Sequence, residues 1–79
     1  MPSLSITLGA KIRAMRNRKG FSQDGLALQC GLDRSYMGRI ERGEVNITVE
    51  KLYQISELLG CEPADFLPRI NEVDRGARN

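Results

Sequence analysis

Seventy-nine residues, 41% of them hydrophobic and with a formal net charge of +2, suffice for one domain whose core several short elements must share. No run of about 18 apolar residues is present, and the first residues lack a basic stretch ahead of an apolar core, so neither a membrane span nor a secretory leader is expected, and the cytoplasm is. With no histidine and only Cys30 and Cys61, the chain lacks a four-ligand metal set and an evident nucleophile–base pair; no enzyme and no cofactor are expected.

The first amphipathic pattern runs from about residue 5 to residue 19, with Leu8, Ile12 and Met15 at i, i+4 and i+7. Gly20 ends it, because glycine takes the left-handed conformation after a helix at little cost. Phe21 then enters the core. Ser22 is a helix N-cap and Asp24 suits the positive end of a second helix, which runs through Cys30 to Gly31. Leu32 plugs the turn that follows. Asp33 caps a third helix, about residues 34 to 42, and Gly43 ends it. After a loop at 44–47, Thr48 caps a fourth helix that turns Leu52, Ile55 and Leu59 inward before Gly60 closes it. Pro63 opens a short fifth helix bearing Phe66 and Leu67, and Pro68 limits its continuation. Both cysteines act as small apolar residues, a disulfide being disfavoured in a reducing compartment. Residues 1–74 form the domain, and 75–79 have few anchors and are expected to fray. The fold expected is all-α: a compact five-helix bundle with a central helix-turn-helix.

Leu26, Ala27, Leu32, Met37 and Ile40 are spaced as the buried positions of two helices joined by a tight turn. That arrangement leaves the third helix free to enter the major groove of DNA. The charge distribution agrees. Residues 1–42 carry eight Lys and Arg against three acidic side chains, a balance of +5, whereas residues 43–79 carry four against seven, a balance of −3. Solvated helix faces account for charge as readily as a polyanion does, and the coincidence with the helix-turn-helix pattern decides for nucleic acid.

The segments L-G-A-K-I-R-A-M-R-N-R-K-G-F-S-Q, L-A, G-L-D-R-S-Y-M-G-R-I-E-R-G and L-x-x-I-S-E-L-L-G-C-E-P-A-D-F-L follow one another in this chain. Together they resemble the lambdoid repressor/Cro-type (XRE-like) helix-turn-helix family over residues 8–67. The stretch L-D-R-S-Y-M-x-x-I-E-R-G-x-x-N is most similar to controller proteins of restriction–modification systems. The resemblance implies that Arg34, Ser35 and Arg39 read base edges from the recognition helix. Arginine suits the paired acceptors O6 and N7 of guanine, a contact giving about 1–3 kcal/mol of discrimination; Arg39 is as well placed for phosphate. Tyr36 matches a DNA contact, with inward packing as the other use of its ring. By position, Ser22 and the Gln23 backbone amide at the positive start of the second helix, and Arg42 and Asn46 flanking the end of the recognition helix, suit contacts with the DNA backbone. Of these, Ser22 suits a cap ahead of a phosphate contact, and the Gln23 side chain also suits bracing the recognition helix. Arg16 and Glu41 match a family ion pair joining the first helix to the end of the recognition helix. Lys11, Arg13, Arg18 and Lys19 are general electrostatics or solvated charge, and Gly38 departs from the family's usual serine.

One recognition helix reads too few base pairs to specify an address, so a two-fold dimer on two half-sites is expected. The basic half faces DNA, which leaves Leu58, Pro63, Phe66, Leu67 and Ile70 for the dimer interface; Phe66 and Leu67 also suit closing the core. The partners expected are double-stranded DNA with a roughly palindromic operator and a second copy of the chain, with RNA polymerase as an open third. No membrane and no small-molecule ligand are expected. The leading reading is a transcriptional regulator acting on its own promoter at the nucleoid, with its concentration as the signal. An antitoxin, a phage Cro-like repressor, and a protein-interaction module that kept the fold without DNA binding are the alternatives.

Overall fold

A computed structural model describes residues 3–73, and the tail expected to fray lies outside them. Four α-helices follow in order: α1 (Leu4–Arg18), α2 (Gln23–Cys30), α3 (Arg34–Glu41) and α4 (Val49–Leu59). Each starts where a side-chain oxygen accepts an otherwise unpaired backbone N–H: Ser3 for α1, Ser22 for α2, Asp33 for α3 and Thr48 for α4. The expected fifth helix is a single 3₁₀ turn, Pro63–Phe66, and a second such turn follows at Ile70–Glu72. Proline at its start and Pro68 just beyond leave only enough chain for a tight turn.

The core draws on every one of the four helices. Leu8 and Ile12 of α1, Leu26 and Ala27 of α2, Met37 and Ile40 of α3, and Leu52, Ile55 and Leu59 of α4 converge on Phe66. Phe66 is 0% exposed, so it seals the bundle and offers no surface to a second copy. That corrects its expected place in a dimer interface: burying one such side chain contributes about 1.5–3 kcal/mol to folding, and the protomer already realises it.

Two glycines set how α1 meets the end of α3. A Cβ on Gly9 would lie 2.3 Å from the Ile40 carbonyl oxygen and 2.8 Å from that of Glu41, so only glycine permits this helix crossing. Gly43, at φ 75°, lies so close to α1 that a Cβ there would stand 2.6 Å from the Ile6 Cα. Both fix α1 against the C-terminal end of α3, leaving the N-terminal end of α3 at the surface.

Candidate nucleic-acid interface

The α2–turn–α3 unit is built from local backbone satisfaction. The Ser22 hydroxyl accepts the Gly25 N–H at 2.9 Å, which makes Ser22 the cap of α2. Gly31 takes φ 71° and turns the chain toward Asp33. The Asp33 carboxylate accepts the N–H groups of Ser35 at 3.0 Å and Tyr36 at 3.3 Å, as well as the Ser35 hydroxyl. The Ser35 hydroxyl first, and then the Tyr36 N–H, hold the Asp33 carboxyl below the usual carboxylate range. The first turn of α3 is thereby fixed while the Arg34 and Ser35 side chains stay exposed.

Arg34, Ser35 and Arg39 are all exposed on α3. Arg34 Nη1 lies 3.4 Å from Asp24 Oδ2, whereas Arg39 forms no salt bridge among the described residues. Tyr36 is half-buried and packs on the core edge, with the Lys51 ammonium 5.9 Å from its ring centre. Its inward packing is therefore part of its role.

The other end of α3 is anchored by a buried polar network. Arg16 Nε and Nη2 donate to the Glu41 carboxylate at 2.6 and 3.1 Å, and Arg16 Nη1 donates to the Phe21 carbonyl at 2.9 Å. The Gln23 side-chain amide donates to Glu41 Oε1 at 3.0 Å. The Arg16 and Glu41 side chains are 10% and 2% exposed, and the network ties α1, the α1–α2 turn, α2 and α3 together. Gln23 thus braces the recognition helix with its side chain. Gly38 faces the same place, since a Cβ there would lie 3.1 Å from Arg42 Nη1 and 3.4 Å from Gln23 Oε1.

Beyond α3, Arg42 is clamped by Glu44, Nε to Oε2 at 2.7 Å and Nη2 to Oε1 at 3.3 Å. Arg42 in turn holds the Glu44 carboxyl below its ordinary range. Asn46 Oδ1 accepts the Ser5 hydroxyl at 2.8 Å, so the start of α1 supports the loop after α3. The contacts of Asp24 with Arg34, of Glu44 with Arg42 and of Ser5 with Asn46 escaped the reading of the sequence. The short separation of Glu44 from Arg42 was a usable signal, while the contacts of Asp24 and Ser5 depend on tertiary approach.

Between the end of α2 and α4, Leu58 is half-buried in a shallow groove with Gln29, Cys30, Gln54 and Glu57. Pro63 is half-buried, Leu67 is exposed, and Ile70 is 74% exposed. Burial pushes the thiols of Cys30 and Cys61 up, which disfavours their reactive thiolate form. Among the described residues no helix is long and apolar enough to cross a membrane, and no cluster of three His, Cys, Asp or Glu stands ready for a metal.

Comparison with known proteins agrees with this geometry. The helix-turn-helix family model matches residues 12–66. Control protein C.BamHI of Bacillus amyloliquefaciens is 36% identical over 66 residues, which is 82% of each chain. The crystal structure of the restriction-modification controller protein C.AhdI from Aeromonas hydrophila superimposes with a TM-score of 0.76 at 37% identity, covering 78% of this chain and 94% of that one. SinR, a master regulator for biofilm formation solved in complex with DNA, gives a TM-score of 0.71 at 30% identity over 75% of this chain and 95% of its own.

Proposed function

This chain belongs to the helix-turn-helix family, and from that membership we propose that it is a sequence-specific DNA-binding transcriptional regulator, a restriction–modification controller that binds its own promoter as a dimer. The observation that carries the reading is the contrast between the two ends of α3. Its C-terminal end is locked by Arg16, Glu41 and Gln23, while Arg34 and Ser35 in its first turn, and Arg39 one turn further along, stand exposed to solvent. A rigidly held helix with a charged, uncovered first turn is what reading base edges in a major groove requires.

In this role Arg34 pairs with guanine, Ser35 and Arg39 contact neighbouring bases, and the exposed edge of Tyr36 meets the sugar or a thymine methyl. The start of α2, through Ser22 and the backbone of Gln23, meets one phosphate strand. Arg42 and Asn46 meet the backbone beyond α3. The Leu58, Leu67 and Ile70 end pairs two copies around a two-fold axis, Pro63 lying at its margin, so that two α3 helices enter half-sites about one turn apart. Occupancy then follows protein concentration, with RNA polymerase as the downstream partner, on the nucleoid in the cytoplasm.

Footprinting on the DNA upstream of its own gene tests the proposal. A protected, roughly palindromic site is expected, with log affinity falling by about 0.9 per neutralised phosphate for each decade of salt. Equal affinity for that DNA and for random duplex at physiological salt would contradict it.

A further inference from the structure

The corner between α2 and α3 holds a contact that base reading and phosphate binding leave unused. Arg34, assigned above to guanine, has its Nη1 3.4 Å from Asp24 Oδ2. The two side chains are 76% and 65% exposed, so the pair stands in water on the surface that carries the start of α2. A carboxylate there opposes every approach of a polyanion, whatever its sequence. Its favourable interaction with the positive end of α2 is a matter of stability alone, and Ser22 already caps that helix.

We infer that Asp24 is a positioning residue for Arg34 that sets how strongly the protein discriminates between sequences. The guanidinium is a planar fork of five donors. With Nη1 turned to Asp24, the Nε–Nη2 edge remains whole, and this edge suits the paired acceptors of guanine. Arginine otherwise surrenders several rotatable bonds when it docks, and a side chain already restrained surrenders fewer. The wrong mode is penalised as well. Where a duplex offers no guanine, Arg34 turns to a phosphate, which means leaving Asp24 with its carboxylate uncompensated beside the DNA backbone. The looseness of the contact fits this role: an exposed pair is worth little by itself, so it orients the arginine without withholding it. Arg39, with no carboxylate partner among the described residues, lacks any such restraint.

The inference rests on the reading of Arg34 as a base contact, and the test separates the two. Asp24→Asn, Arg34→Ala and the double variant are measured against the selected operator duplex and a scrambled duplex at one salt concentration. Selection from randomised DNA is run for each. Circular dichroism verifies that each variant folds, with Asp24→Ala as a second variant at the same position. Asp24→Asn is expected to raise affinity for the scrambled duplex and to lower the operator-to-scrambled ratio by about two- to ten-fold. It should flatten base preference at the same position per half-site that Arg34→Ala flattens. In the Arg34→Ala background, Asp24→Asn should raise both affinities alike. A shift by one common factor in the parent protein, with base preference intact, would reduce Asp24 to plain charge and overturn the inference alone. An unchanged motif for Arg34→Ala would remove the base contact and the inference with it.

Discussion

Separating Arg16 from Glu41 is the sharpest perturbation of the frame that holds α3. In Glu41→Leu the guanidinium loses its two donations to carboxylate, at 2.6 and 3.1 Å, and keeps only the Phe21 carbonyl at 2.9 Å. Breaking a buried pair by removing one partner costs about 3–5 kcal/mol, because the other charge stays behind unpaired. Arg16 is 10% exposed, so water reaches it slightly and the lower end of that range applies, about 3 kcal/mol. Domains are stable by about 0.05–0.15 kcal/mol per residue, roughly 4–12 kcal/mol at this length, so the loss consumes a large fraction of the whole. In a domain this small it lowers the melting temperature by about 12–24 °C. Arg16→Met leaves the Glu41 carboxylate with only Gln23 and should cost a similar amount. The double variant Arg16→Met/Glu41→Leu should recover most of the loss, since apolar replacement of a whole buried pair is often neutral. Thermal and urea melts followed by circular dichroism give the three values. Two small, additive single losses of below about 1 kcal/mol each would show a solvated pair and refute the reasoning.

Gly9→Ala should destabilise by about 1–3 kcal/mol although alanine favours helices, because the added Cβ meets backbone oxygens of Ile40 and Glu41 that cannot turn aside; a melt at or above the parent temperature would contradict this. Gly38→Ala meets only the side-chain ends of Arg42 and Gln23, so gained helix propensity of up to about 1 kcal/mol should dominate and the melting temperature should rise. The folded pKa of Asp33 is lowered, so its contribution is complete above about pH 4 and is lost as pH falls through the folded value. Melting temperature followed from about pH 5 to pH 2 should therefore fall less steeply in Asp33→Asn than in the parent protein. Ile70→Glu, at a site exposed in the protomer, and Leu58→Glu should each give folded monomers with weak, non-specific DNA binding. A sedimenting dimer in both variants would place the interface elsewhere.

Local chemistry was readable from the sequence because it is local. Ser22, Asp33 and Thr48 cap the helices their positions imply, and Leu8, Ile12, Leu52, Ile55 and Leu59 are buried as their spacing requires. The Arg16–Glu41 pair was legible through the family resemblance alone, since 25 residues separate the partners and nothing in either neighbourhood predicts their meeting. What stayed hidden depends on approach in three dimensions. Gly9 reads as an ordinary residue of a helical pattern until α3 is seen against it, and the closeness of Gly43 to Ile6 is equally non-local. Phe66 suited both the core and an interface, and the turn from Pro63 decides for the core by aiming the ring inward. The carboxylates beside Arg34 and Arg42 show another gap, because charge counts register Asp24 and Glu44 as opposition to DNA without revealing which arginine each one holds.

Mapping the DNA contact on the protein tests the central claim most directly. Backbone amide resonances are followed by NMR as the operator duplex is added at physiological salt. The account predicts the largest changes at Ser22 and Gln23, at Arg34, Ser35, Tyr36 and Arg39, and at Arg42 and Asn46. Leu52, Ile55 and Leu59 of α4 should hardly move, and a scrambled duplex should give smaller changes that vanish as salt rises. Changes centred on α4 instead, or identical for the operator and scrambled duplexes, would contradict base reading by α3.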